Sequence, residues 1–153
     1  MRRAVLSGLR LSAGLLLWFA ASHAASAGTV DFTVALTGEQ VVPQVTTYGI
    51  GAIDLTYDYD TRVLRWLLAF SGLTSRVLFA QIHGPAERGQ VAPAEIWLSD
   101  KAMIRPVPGV VSGEATLSLE QAQQFLAGQL YVEVHTAVNR EGELRGQIVP
   151  PRQ

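Results

Sequence analysis

Hydrophobic and polar residues alternate with a period of two through most of this chain, and Gly, Pro, Asp and Asn cut the alternation into short runs. In GAIDLTYDYD (51–60), Ile53, Leu55, Tyr57 and Tyr59 fall on one face and Asp54, Thr56, Asp58 and Asp60 on the other. Successive side chains of a strand point to opposite sides, so this is the pattern of a sheet with one wet face. VDFTVAL (30–36) reads as the strand before it. VLRWLLAFSGL (63–73) follows a turn at Asp60-Thr61-Arg62 and directs Leu64, Trp66, Leu68 and Phe70 inward. RVLFAQIHG (76–84) sets Leu78, Ala80 and Ile82 against Gln81 and His83. AEIWLSD, GVVSGEATLS, QLYVEVHTA and GELRGQIVP are four further predicted strands. One segment has helical spacing instead. Ser118 and Gln121 form a capping-box pattern, Gly128 supplies a stop, and Leu119, Ala122, Phe125 and Leu126 make one stripe between them. Short strands with turn signals at regular intervals predict an all-β, antiparallel sandwich or barrel with one short helix over an open end.

The first residues break this pattern. Arg2 and Arg3 precede an apolar run from Leu11 to Ala21, too short to span a bilayer comfortably, and small residues follow in SHAASAG. A basic end, a short apolar core and a small-residue cleavage site are the layout of a secretory signal peptide. Residues 1–27 are expected to be that leader, cut after Ala27 or alternatively after Ala24, leaving 28–153 as one domain in the periplasm or outside the cell. No stable membrane span is expected after cleavage, and with no cysteine in the chain there is no lipoprotein anchor.

Charge and composition then exclude several classes. Loss of the leader removes Arg2, Arg3 and Arg10 and no acidic residue, leaving nine basic against thirteen acidic side chains, about −4. Nucleic acid is not an expected partner, because no basic stripe exists to meet its phosphates. The lack of cysteine removes disulfides, thiol chemistry and thiolate metal sites. Asp54, Asp58 and Asp60 lack the glycine and terminal glutamate of a calcium loop and read as a solvated face. Trp66 and Trp97 read as core or half-buried strand aromatics.

The candidate chemistry lies on three strands that each carry a polar face. Gln81 and His83 share one; Tyr131, Glu133 and His135 share the second; Glu143, Arg145 and Gln147 share the third. The loop AVNREG joins the last two as a hairpin, so Glu133 or His135 is expected across from the 143–147 set, within reach of Arg145.

LTGEQVVP (36–43), Ile-His-Gly-Pro-Ala (82–86), GQLYVEVHT (128–136) and GELRGQI (142–148) resemble, in that order, the CHRD domain, a module named after chordin and widespread in bacterial exported proteins. The resemblance covers roughly 31 to 149. It implies an immunoglobulin-like, Greek-key β-sandwich related in layout to copper-zinc superoxide dismutase. In animals the module sits in a secreted antagonist of growth factors, which implies protein binding rather than chemistry. Two positions depart from the family pattern. The family carries His-Ile-His-Gly-Pro where this chain has Gln81, and it favours Asn where this chain has Glu133.

The leading expectation is an exported, non-catalytic binding or structural module. Its polar network is His83, Gln81, Glu133, His135, Glu143, Arg145 and Gln147, with Arg145 paired to Glu133 or Glu143 and His83 fastening the Gly84-Pro85 loop. Loops 87–93 and 101–109 are the expected surface for an unidentified extracellular or periplasmic protein or ligand, and no cofactor is required. The alternative is a periplasmic copper- or zinc-binding protein using His83, His135 and Glu133. A metal-dependent enzyme is the third reading, with no catalytic residue assigned.

Overall fold

The computed structural model describes residues 28–99 and 109–152; the predicted leader and all but Gly109 of the 101–109 loop lie outside the described residues. The eight predicted strands form as β1 (Thr29–Leu36), β2 (Ile50–Asp58), β3 (Val63–Ser71), β4 (Val77–His83), β5 (Ala94–Trp97), β6 (Val110–Thr116), β7 (Leu130–Thr136) and β8 (Leu144–Ile148). A 3-10 turn at Gly38–Gln40 follows β1, and helix α1 (Leu119–Leu126) lies between β6 and β7. The strands build two four-stranded sheets, in the orders β1-β2-β3-β6 and β5-β4-β7-β8. Every pairing is antiparallel. The chain is an all-β sandwich with one short helix.

Alternation places the core between the sheets. Ile53, Leu55, Leu64 and Leu68 of the first sheet meet Ala80, Ile82, Val132, Val134, Leu144 and Ile148 of the second, all buried. The start of β4 differs from expectation. A bulge between Val77 and Phe79 shifts the register against β7, so Val77 is buried in the core and Leu78 is only half-buried. One extra residue in a strand reverses the facing of everything before it.

Helix α1 begins with the full capping box: the Ser118 hydroxyl accepts from the Gln121 N–H at 3.1 Å, and the Gln121 side chain accepts from the Ser118 N–H at 3.0 Å. It stops at Gly128, whose φ of 75° suits glycine and whose N–H reaches the Phe125 carbonyl. The apolar stripe is narrower than its spacing predicts. Ala122 and Phe125 are buried, whereas Leu119 and Leu126 are exposed, because so short a helix laid over the sandwich end turns only its middle residues inward. Phe125 closes that end, its ring 4.7 Å from Tyr57 and 6.1 Å from Phe32.

Glu143 staples the opposite connections. Its carboxylate accepts from the Thr47 hydroxyl in the β1–β2 connection, from the Thr74 N–H and hydroxyl in the β3–β4 connection, and from the Thr136 hydroxyl at the end of β7, at 2.7–2.8 Å. Burial by itself would raise this carboxyl, but the hydrogen bonds from Thr74, Thr47 and Thr136 favour the ionised form and hold it down at about 2.

Two stability outcomes follow from these contacts. Phe125→Ala is expected to cost about 3–5 kcal/mol, the range for emptying a buried aromatic site, read from the urea midpoint. Because the Glu143 carboxyl is depressed, its contribution is complete above about 4.5 and is lost as pH falls from there through about 2. Glu143→Gln is therefore expected to lose on the order of 2–3 kcal/mol at neutral pH. The same variant should also flatten the acid limb of stability in that window. Urea titrations across the pH series, giving the same acid slope for both proteins, would remove Glu143 as the staple.

Candidate metal centre

The outward face of the β5-β4-β7-β8 sheet is polar and yet buried. Gln81 and His83 of β4, Tyr131, Glu133 and His135 of β7, and Arg145 and Gln147 of β8 all lie on it with almost no exposure. Register sets their order: Gln81 pairs with Glu133, His83 with Tyr131, Phe79 with His135, Glu133 with Arg145, and Tyr131 with Gln147. Two connections are tied onto this face. The β4–β5 connection is fastened at Ala92, whose carbonyl meets His83 Nδ1 at 3.0 Å and whose N–H donates to the Tyr131 hydroxyl at 3.0 Å. Gln147 Nε2 donates to the carbonyls of Ala86 and Gly128 at 2.9 and 2.8 Å. The β1–β2 connection is held where Thr37 and Arg145 exchange backbone hydrogen bonds and where the Gln147 N–H donates to Gln40 Oε1 at 3.2 Å.

Those fastenings fix the histidine tautomers. His83 Nδ1 faces the Ala92 carbonyl, and His135 Nδ1 faces the Arg140 carbonyl at 2.9 Å. A carbonyl oxygen only accepts, so each Nδ1 carries a proton and each neutral ring presents a lone pair at Nε2. The two Nε2 atoms point at one another, 3.4 Å apart, and His83 Nε2 is 4.0 Å from Glu133 Oε2. One donor atom from each of His83, Glu133 and His135 lies within 4.8 Å of the others. Two nitrogens bound tetrahedrally at 2.0–2.1 Å are separated by about 3.3–3.4 Å, so the imidazole pair already has a ligand spacing. Glu133 stands farther off, 4.0 Å from His83 Nε2, and would have to close in on both imidazoles to complete the set. Gly142 makes room for it: φ there is 130°, and a Cβ would sit 2.5 Å from Glu133 Oε1.

Burial governs the charges. It lowers His83, an effect the Ala92 carbonyl opposes and Arg145 reinforces. It lowers His135 to about 4, again against the pull of its carbonyl partner and with help from His83. It raises Glu133 to about 7, while Arg145 pulls the other way. Neutral imidazole is the form that ligates metals. At 4.0 Å, with His83 held neutral, His83 and Glu133 are not an ion pair.

Aromatic rings frame the cluster. His83 stacks on Tyr131 at 5.1 Å and 12°, and Phe79 packs on His135 at 4.5 Å and on Trp97 at 5.5 Å. The half-buried Trp97 thus joins this wall, while Trp66 lies in the core and donates to the Leu98 carbonyl at 3.3 Å. The expected pairing of Arg145 with Glu133 or Glu143 is not made: among the described residues no carboxylate lies within ion-pair distance of it. Its guanidinium instead lies 3.5 Å from the centre of the Tyr131 ring. Glu143 stands apart from Arg145 and Gln147 because the threonine hydroxyls capture it. Asp54 and Asp58 serve their own surroundings, accepting from Thr33 and from the backbone of Asp60 and Thr61. Phe79, two residues before Gln81, is the site residue that sequence reasoning missed; strand alternation could have found it. The Ala92 and Arg140 carbonyls carry no side-chain signal at all.

Comparison with curated proteins gave no significant match, and comparison with solved structures gave none. The CHRD domain matches residues 32–148, from β1 to the last residue of β8, and the stretch includes His83, Glu133 and His135. Both sheets and the buried polar face between their connections are therefore those of the matched domain, and the chain belongs to the CHRD domain family.

Proposed function

We propose that this CHRD domain is an exported module that binds one copper or zinc ion through His83 Nε2, His135 Nε2 and a Glu133 carboxylate oxygen. The observation that carries the proposal is the pair of imidazoles whose Nδ1–H groups are committed to carbonyls while their Nε2 lone pairs converge at 3.4 Å beside a carboxylate. Two lone pairs so placed repel unless a cation lies between them. A proton could serve, but burial disfavours an imidazolium on either ring. A divalent ion serves better, since it also compensates the Glu133 carboxylate. Carbonyl acceptors on the outer nitrogens are the usual support of metal-bound imidazoles, fixing both tautomer and ring orientation. Two imidazoles and one carboxylate suit zinc or copper and leave a coordination position open. A metal-dependent enzyme, the remaining reading, would begin from that position. Export is supported by the leader-like first residues and by the family's occurrence in secreted proteins, and no helix among the described residues is long and apolar enough to cross a membrane.

A second reading, a metal-free binding module, draws on the same Ala92 hydrogen bonds, which hold the exposed Glu87–Val91 turn in place for a partner. The two differ in whether Nε2 has a use. Calorimetric titration of chelator-treated protein with Cu(II) and Zn(II) is expected to give one ion per chain with sub-micromolar affinity. Saturation at a hundredfold over Kd should stabilise the fold by about 2.7 kcal/mol. Glu133→Gln and His135→Ala should each weaken the ion by about tenfold or more while the circular dichroism stays that of a folded sandwich. Wild-type protein that binds neither ion, or a His83→Ala/His135→Ala double variant that binds as well, leaves the loop-clamp module as the reading.

Gln81 offers a gain-of-function check. It lies two residues before His83 on the same buried face and pairs in register with Glu133. Gln81→His recreates the His-x-His of the family pattern and sets a third imidazole about 7 Å from His83 along the strand. Affinity is expected to rise by about tenfold or more, one added ligand against a 1.4 kcal/mol scale. An unchanged or weaker affinity would mean that the ion sits out of reach of position 81.

A further inference from the structure

A second polar feature lies beside β8 and uses none of the proposed ligands. A pocket of about 430 Å³ opens between the β1–β2 connection, the turn at Arg88-Gly89 and β8. Arg145 and Gln147 line it from the sheet, Val41, Val42 and Pro43 form an apolar wall, and Arg88 and Glu39 complete its lining. Arg145 is only 1% exposed and is the largest fully buried side chain. Its Nη2 makes one long contact, 3.5 Å to Gln147 Oε1, and its Nη1 has no hydrogen-bond partner among the described residues. A buried guanidinium without a counter-ion is costly, and the Tyr131 ring beneath it gives only partial compensation. The Gln147 side chain is anchored by its amide nitrogen, which donates to the Ala86 and Gly128 carbonyls, and from that position its Oε1 comes no closer than 3.5 Å to Arg145. Arg88 is held toward the same place by its 3.3 Å bond to Gln40 Oε1.

From this arrangement we infer that the pocket is a binding site for a carboxylate carried on a small apolar body, with Arg145 and Arg88 as the anion-holding pair. The charge fits a single negative group: two guanidiniums and one Glu39 carboxylate leave one positive charge uncompensated. A phosphate dianion would be left undercompensated beside Glu39. The fork of an arginine matches a carboxylate's two oxygens, and Val41, Val42 and Pro43 take the apolar portion. The carboxylate can come from a free aliphatic or aromatic acid or from the end of a peptide chain.

The test is a nuclear magnetic resonance titration of isotope-labelled, chelator-treated protein with benzoate, hexanoate, a short peptide ending in valine, the C-terminal amide of that peptide, and inorganic phosphate. A saturable shift of the Gln40, Arg88 and Gly89 amides by at least one carboxylate, absent with the peptide amide, is the expected result. Binding by benzoate or hexanoate marks a small-molecule site, and binding by the peptide acid alone marks a chain-end site. Arg88→Gln, on an exposed residue, should weaken binding by about tenfold. Arg145→Lys, which keeps a cation on the sheet but loses the fork, should weaken it at least as much while the spectrum stays dispersed. The inference is overturned if no carboxylate saturates, if phosphate binds in place of the carboxylates, or if either variant binds as tightly as the wild type. The titration is run without metal, so its outcome is independent of the His83–Glu133–His135 reading.

Discussion

A polar sheet face buried under its own connections is the constraint on which the rest of this molecule depends. In water the outward residues of β4, β7 and β8 would be solvated and interchangeable. Covered by the β1–β2 and β4–β5 connections, each must find a partner or be left at a cost of the order of 1–3 kcal/mol. The Ala92, Ala86 and Arg140 carbonyls supply those partners, and the Ala92 and Arg140 carbonyls in doing so choose the tautomers of His83 and His135. The fastening of the loops and the convergence of the Nε2 atoms are one event seen from two sides of the ring. A histidine that fastens a loop and a histidine that awaits an ion are therefore not competing descriptions of His83.

Two glutamates flanking the β7–β8 hairpin show how fully the partners decide chemistry. Glu143 and Glu133 are both buried, yet one carboxyl is held at about 2 and the other pushed up to about 7. Glu143 accepts from three threonine hydroxyls and one backbone N–H, so the ionised form is stabilised beyond what burial takes away. Among the described residues no hydrogen-bond donor approaches Glu133 comparably, and the positive charge of Arg145 only partly offsets its burial. The first is saturated and structural. The second is the one that the proposed metal site would use as a ligand.

Strand order along the chain and the facing of nearly every strand were legible in the sequence, because a period of two admits only one buried set when one face is apolar. Alternation likewise grouped Tyr131 with Glu133 and His135, and Arg145 with Gln147, on faces that the folded sheet brings together. It failed where a backbone irregularity intervenes, as at the β4 bulge that exchanges Leu78 for Val77. It also failed for Glu143, which precedes β8 and follows Gly142 at a φ of 130°, outside the reach of strand geometry. The partners of Arg145 were misjudged for a different reason. Opposite charges on adjacent strands suggested an ion pair, but the guanidinium lies over the Tyr131 ring instead. Backbone carbonyls as acceptors for both histidines could not be read at all, since they depend on how the connections fold back.

Arg145 links the two functional proposals physically. Its charge acts on His83 and Glu133, and its guanidinium touches the Tyr131 ring on which His83 is stacked. A divalent ion among His83, Glu133 and His135 would add positive charge beside a cation already buried. An anion seated on Arg145 would relieve that repulsion, and the ion in turn would deepen the potential that holds the anion. Linkage of this kind is reciprocal, each ligand strengthening the other by the same factor. It would also give a use to a buried arginine that, among the described residues, has no carboxylate within ion-pair distance: a permanent partner at Arg145 would stabilise the fold but would occupy the group that the two proposed sites would share.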